Sequence, residues 1–160
     1  MKLSHIMVPY DGSEHALRAL DYAKGLAASA GDGARVSLVH VLTTGMVDSR
    51  DLDGEGTLNG VPLGLVDRDE YQGLVEKATD RVKAEIEEKL RERIADATDT
   101  VTVDVVADPS ATDAIIYYAQ KHDVDLIVMG RRGLGALRGM LGSVSYGVLH
   151  GTDVPVLTVK

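Results

Sequence analysis

Cysteine, phenylalanine and tryptophan are absent from this chain of 160 residues, and proline occurs only four times. Without cysteine there can be no disulfide, no thiolate nucleophile and no cysteine-held zinc or iron–sulfur centre. Without Phe and Trp, the core has to be built from Val, Leu, Ile, Ala and Met. No apolar stretch approaches the roughly 20 residues of a membrane-spanning helix. Positive charge is scarce: 17 Lys and Arg stand against 25 Asp and Glu, for a net charge of −8. Such a surface suits neither nucleic-acid phosphates nor an anionic bilayer. The segment Met1 to Pro9 is too short and too strand-like for a secretory leader, so a cytoplasmic protein is expected.

What is present is an alternation of two patterns. Leu3 to Val8, Val36 to Leu42, Val101 to Ala107, Val124 to Met129 and Val154 to Val159 are short, nearly continuous apolar runs. They read as strands buried on both faces. Between them lie helical repeats. Ala16, Leu20, Ala23 and Ala27 precede a Gly31-Asp32-Gly33 stop; Leu74, Ala78, Val82, Ile86, Leu90 and Ile94 recur every fourth residue between Asp67 and Ala97. Ala111 to His122 and Ser143 to His150 complete the set. Strand–helix alternation of this kind predicts one domain over residues 1–160, an open, doubly wound, mostly parallel α/β sheet. Thr43 to Leu65 has no period and reads as a long loop, disordered in its middle from Asp48 to Gly60.

One short turn is basic in this acidic chain. GRRGLGALRGMLGS, residues 130 to 143, holds five glycines and three arginines directly after the fourth apolar run. Ligands of open α/β sheets bind beyond the carboxyl ends of strands. There Gly130 and Gly133 allow close approach to the backbone. Gly142-Ser143 opens a helix whose first N–H groups are unpaired and favour an anion. Arg131, Arg132 and Arg138 supply charge for phosphate oxygens. The plainer alternative is a tight strand–helix connection with Ser143 as a cap and solvated arginines. The phosphate loop GxxxxGK[ST] is missing, and PYDGSEH after the first strand is not GxGxxG.

The first strand ends in a similar turn. Asp11-Gly12-Ser13-Glu14 has the form of a capping box, so Asp11 or Ser13 can cap the first helix; Asp11 can equally face a ligand. His5, His15, His40, His122 and His150 show no metal-ligand spacing. His40, inside an apolar strand, reads as a core histidine, and His15 lies near the first turn. Ser13, Ser143 and Ser145 have no partnered base in sequence, so no nucleophile–base–orienter set is visible.

Taken together, IMVPYDGSEHALRALDYAKGLA, VSLVHVL, DAIIYYAQKHDVDLIVMGRRG and LGSVSYGVLHGTDVPVLTV resemble the universal stress protein family, of the single-domain, nucleotide-binding type. The resemblance covers nearly the whole chain. It implies an adenine-nucleotide alpha-hydrolase-like sheet of five parallel strands in order 3-2-1-4-5, with helices on both faces. It also implies a stress-response role with ATP, or AMP or ADP, as ligand, and at most slow hydrolysis. Mg²⁺ would be held by the phosphates with Asp11 or water. By resemblance, Gly130, Gly133, Gly142 and Ser143 hold phosphate and ribose, with Met129, Arg131, Arg132, Val144 and Ser145 around them. Asp11, beside Ser13, contacts adenosine; Pro9 and Tyr10 line the base; Val41 offers its backbone to the adenine edge. Val154 to Val159 is expected to pair with its copy in a homodimer.

Two departures stand out. Eight residues, LGALRGML, separate Gly133 from Gly142 where the family has nine, and Ala107 stands where glycine is usual. The shorter spacing favours an alternative, a family member that has lost the nucleotide and acts as a dimeric interaction module. An adenylating ATP pyrophosphatase on a related fold would need an SGG-type loop after the first strand, and PYDGSEH does not supply it.

Overall fold

The five short apolar runs have nowhere to hide except between two layers of helix. The computed structural model, which describes residues 3–31, 33–43, 57–58, 61–62, 68–97, 100–134 and 141–160, shows that arrangement. In chain order the elements are β1 (His5–Pro9), α1 (Glu14–Ala30), β2 (Arg35–Thr43), β3 (Thr57–Leu58), β4 (Val61–Pro62) and α2 (Arg68–Ile94). There follow a 3₁₀ turn (Ala95–Ala97), β5 (Val101–Asp108), α3 (Ala111–Lys121), β6 (Leu126–Gly130), α4 (Ser143–Gly151) and β7 (Val156–Val159). Five strands form one sheet in the order β5-β2-β1-β6-β7, every pair parallel. That is the expected 3-2-1-4-5 order.

Each face of the sheet has its own core. Ile6, Val8, Val36 and Leu38 pack with Ala16, Leu20 and Ala23 of α1 and Ile86 and Leu90 of α2. Met7, Val39, Ile127 and Met129 pack with Ile115 and Tyr118 of α3 and Val148 of α4. The buried alanines of α1 let that helix lie close to the strands. Ser13 starts it, its Oγ accepting the Ala16 N–H at 3.1 Å, and Gly31, at φ 92°, ends it.

The structure overturns two sequence expectations and decides one alternative. The every-fourth repeat of α2 does not form one buried stripe: Ile86 and Leu90 are buried, while Leu74 and Ala78 are only half-buried. A four-residue step overshoots the 3.6-residue turn by about 40° each time, so six repeats cannot share one face. Of the two cap candidates, Asp11 and Ser13, Ser13 takes the position, so the Asp11–Glu14 capping box does not form. The loop from Thr43 to Leu65 contains a two-residue ladder, in which Thr57 pairs with Pro62 and Leu58 with Val61. Strands that short carry no readable period. The rest of the segment expected to be disordered, 48–56 and 59–60, lies outside the described residues.

A partly buried polar cluster centres on His5 at the amino end of β1. His5 is 4% exposed; its Nδ1–H donates to His122 O at 2.9 Å, and its Nε2 accepts from Ser37 Oγ at 2.8 Å. Asp125 Oδ2 accepts the backbone N–H groups of Ser4 and His5. Tyr118 OH donates to Asp104 Oδ2 at 2.6 Å, and burial followed by that bond pushes the phenol up to about 12. Burial holds His5 below the ordinary imidazole value, with Arg35 adding to the effect. The Ser4 and His5 amides hold the Asp125 carboxyl below its usual range.

Both shifts act in one direction. A histidine with a lowered folded value binds its proton preferentially in the unfolded chain, so stability is lost as pH falls below about 6.5. The Asp125 contribution is present above the unfolded carboxyl value and is lost only at lower pH. The melting temperature is therefore expected to fall between pH 7 and pH 5, and to fall less steeply in His5→Gln. Parallel pH profiles for the two proteins would remove His5 as the cause.

Candidate functional site

Strand order reverses between β1 and β6, where Ile6 pairs with Leu126 and Met7 with Ile127. From that point β1 runs into α1 on one face and β6 into α4 on the other. The turns leave a crevice beyond the strand ends, the position where open α/β sheets bind ligands. It is a cavity of about 570 Å³, within the usual range for a small-molecule site.

The first wall is the turn after β1. Pro9, Tyr10 and Asp11 line the cavity. Asp11 Oδ1 accepts the Ser13 N–H at 3.0 Å, which orients the carboxylate. Its Oδ2 lies against Gly133 across the crevice, so close that a Cβ on Gly133 would collide with it. Gly12 makes the turn possible with φ 83°. Tyr10 does not offer its ring freely: it is 5% exposed and packs in the core with Leu20 and Leu90.

The second wall is β2. Tyr10 N–H donates to Val39 O at 2.8 Å, so the backbone groups of Val39 turn towards β1. Alternate residues of a strand address the same neighbour. Val41 therefore directs its N–H and C=O the same way, beyond the end of β1 at Pro9. Val41 lines the cavity, as do Val39 and His40. His40 is half-buried, and its Nδ1–H donates to Tyr10 O at 2.8 Å.

The third side is the glycine-rich turn. Met129, Gly130, Arg132 and Gly133 line the cavity from the β6 side, and Gly142, Ser143, Val144 and Ser145 from the start of α4. Gly130 has no room for a side chain, because a Cβ would meet His15 Cβ at 2.8 Å and Arg132 O at 3.1 Å. Gly142 is the N-cap of α4 and no side chain caps that helix. Arg131 Nε and Arg132 Nε are buried without a hydrogen-bond partner among the described residues, and so is His15 Nδ1. A buried guanidinium nitrogen left unpaired is costly unless an anion completes it.

Of the residues singled out from sequence, Ser13 and Arg131 are not among those lining the cavity. The Ser13 hydroxyl is occupied by the Ala16 amide. Arg131 turns its N–H to Val159 O at 2.7 Å. Arg138, Gly135 and Gly139 lie outside the described residues. Sequence reasoning did not find Ala111 and Ile115 of α3, nor Val39, Leu134 and Leu141. Ala111 and Ile115 share a helix face by their four-residue spacing. Nothing in the sequence said that this face overhangs the crevice, because α3 follows β5, two strands away from β1.

The sequence profile of the Universal stress protein family matches residues 2–160. The chain belongs to this family. Universal stress protein YxiE of Bacillus subtilis is 31% identical over 97% of this chain and 97% of its own length. A universal stress protein encoded beside a QAH/OAS sulfhydrylase in Thermus aquaticus is 33% identical, with the same coverage of both chains. Among solved structures, UspA of Lactobacillus plantarum superposes with a TM-score of 0.71 at 18% identity, over 100% of this chain and 99% of that one. A universal stress protein in complex with cAMP gives a TM-score of 0.57 at 24% identity, covering 99% and 98%. A family protein from Arabidopsis thaliana with AMP bound gives 0.57 at 16%, covering 98% and 91%. No helix among the described residues is long and apolar enough to cross a membrane.

Proposed function

We propose that this universal stress protein binds an adenine nucleotide, ATP or its AMP or ADP relatives, in the crevice between β1 and β6, and that occupancy serves a regulatory role in stress response. One observation carries the reading. The turn at Gly130, Gly133 and Gly142 faces an oriented carboxylate, Asp11, while Arg132 beside it has a buried Nε with no hydrogen-bond partner among the described residues. The solved relatives holding cAMP and AMP support it.

In this reading the base lies by Pro9, with the Val41 backbone on the adenine edge, and Asp11 meets the ribose. The phosphates meet Gly130, Gly133 and the first amides of α4, where Ser143 is exposed. Arg132 neutralises them. A Mg²⁺ ion, when bound with the phosphates, would find Asp11 as its protein oxygen donor. The alternative, a module that has lost the ligand, rests on the short Gly133–Gly142 spacing. Against it stands the closed geometry of the turn, where Gly142 N–H donates to Arg131 O at 3.0 Å.

Calorimetric titration with ATP and AMP tests this. Asp11→Ala is expected to weaken binding by about 1–3 kcal/mol, the scale of leaving a polar partner unpaired. An unchanged affinity would remove Asp11 from the site and leave it as a turn residue.

The same reading includes a homodimer through Val154 to Val159. β7 is an edge strand, and Leu157 on it is 39% exposed, which is a pairing hazard unless covered. Light scattering is expected to give the mass of a dimer for the parent and of a monomer for Leu157→Asp. A monomeric parent would refute the pairing.

A further inference from the structure

Two hydrogen bonds close the glycine-rich turn on itself. Ser145 Oγ donates to Gly130 O at 2.9 Å in a buried setting, and Gly142 N–H donates to Arg131 O at 3.0 Å. The first two carbonyls of the turn are thus tied to the first turn of α4. Ser145 is 4% exposed, and its one proton is already committed to Gly130. Ser143, two residues earlier, is exposed. The two serines therefore do different work, although both line the cavity.

We propose that Ser145 is a positioning residue, the clasp that holds the Gly130–Arg131 backbone against α4, and that it reaches a bound phosphate only through that backbone. With the Gly142–Arg131 bond it fixes the separation of the two ends of the turn. The length of chain between Gly133 and Gly142 then has little influence on the cradle, and eight residues serve as well as nine. The consequence for ligand binding rests on the nucleotide reading above; the clasp itself does not.

Amide hydrogen exchange on the nucleotide-free protein separates the two. In Ser145→Ala the Gly142 amide is expected to exchange about ten times faster than in the parent, the effect of losing one buried hydrogen bond. Ser145→Thr, which keeps the hydroxyl, restores the slow rate. Ser143→Ala leaves that rate unchanged. Inserting one glycine between Leu137 and Arg138 leaves it within about twofold. A cooperative thermal transition in each variant shows that the comparison is between folded proteins. Unchanged exchange in Ser145→Ala, or a faster rate in the insertion variant alone, would overturn the clasp. Titration with ATP then reads the consequence, an affinity about tenfold weaker in Ser145→Ala. A parent protein that binds no ATP, with the exchange pattern intact, would defeat the nucleotide reading and leave the clasp standing.

Discussion

Gly133→Val is expected to abolish nucleotide binding while the protein stays folded. A Cβ at this position runs into Asp11 Oδ2, the far end of a flexible side chain. The carboxylate can rotate away, so the fold survives. Rotation breaks the bond from Ser13 N–H to Asp11 Oδ1. Loss of one such bond costs about 1 kcal/mol of stability. Binding loses more. The valine projects into the crevice at the turn that the proposed phosphates would meet, and it drives Asp11 from the opposite wall in the same event. An affinity loss of about a hundredfold or more follows from two contacts removed together, at roughly 1–3 kcal/mol each. Titration with ATP, beside circular dichroism and light scattering to confirm fold and assembly, checks this. A variant that binds as the parent does would place the ligand elsewhere.

Gly130→Ala is expected to do the opposite, damaging the fold first. Here the added Cβ meets His15 Cβ at 2.8 Å, the His15 backbone carbon at 3.0 Å and Arg132 O at 3.1 Å. None of these is the end of a flexible chain. His15 sits in the first turn of α1, whose Ala16, Ala19 and Leu20 are buried against the sheet. Helix and strand must separate to admit one methyl group. Overpacking of this kind costs about 1–3 kcal/mol. For a domain of this size that lowers the melting temperature by roughly 3–10 °C. Differential scanning calorimetry measures it, and a melting temperature within 1 °C of the parent (roughly the scatter of a neutral surface change) would show that α1 yields without loss. The two glycines stand three residues apart in one motif, yet one lies against Asp11 across the crevice and the other against His15 at the contact between α1 and β6.

How much of this was legible in the sequence depended on whether the signal was local. The strands were legible because a sheet buried on both faces leaves unbroken apolar runs such as Ile6-Met7-Val8 and Leu126-Ile127-Val128. The crevice was legible where a turn announces itself, as at Asp11-Gly12-Ser13 and Gly130 to Gly133. What failed was local chemistry with two candidates. Asp11 and Ser13 both suit a helix cap, and only the backbone decides that Ser13 takes the Ala16 amide while Asp11 faces Gly133. His40 stands inside an apolar run and suggests a core histidine; its bond to Tyr10 O satisfies the ring, but it is half-buried and borders the cavity. Ala111 and Ile115 were out of reach, because their role depends on where the crossover after β5 lays α3. The two jobs of Ser143 and Ser145 were equally hidden: in sequence they are alternate serines, and in the fold one is exposed and the other buried.

The proposed function requires an adenine nucleotide in the β1–β6 crevice. Its most direct test is chromatography of the small molecules released when the purified protein is denatured. The expected result is ATP, ADP or AMP at close to one per chain, and much less from Gly133→Val prepared in the same way. Release of no nucleotide, together with a melting temperature that added ATP does not raise, would contradict that reading and favour the alternative of a family member without a ligand.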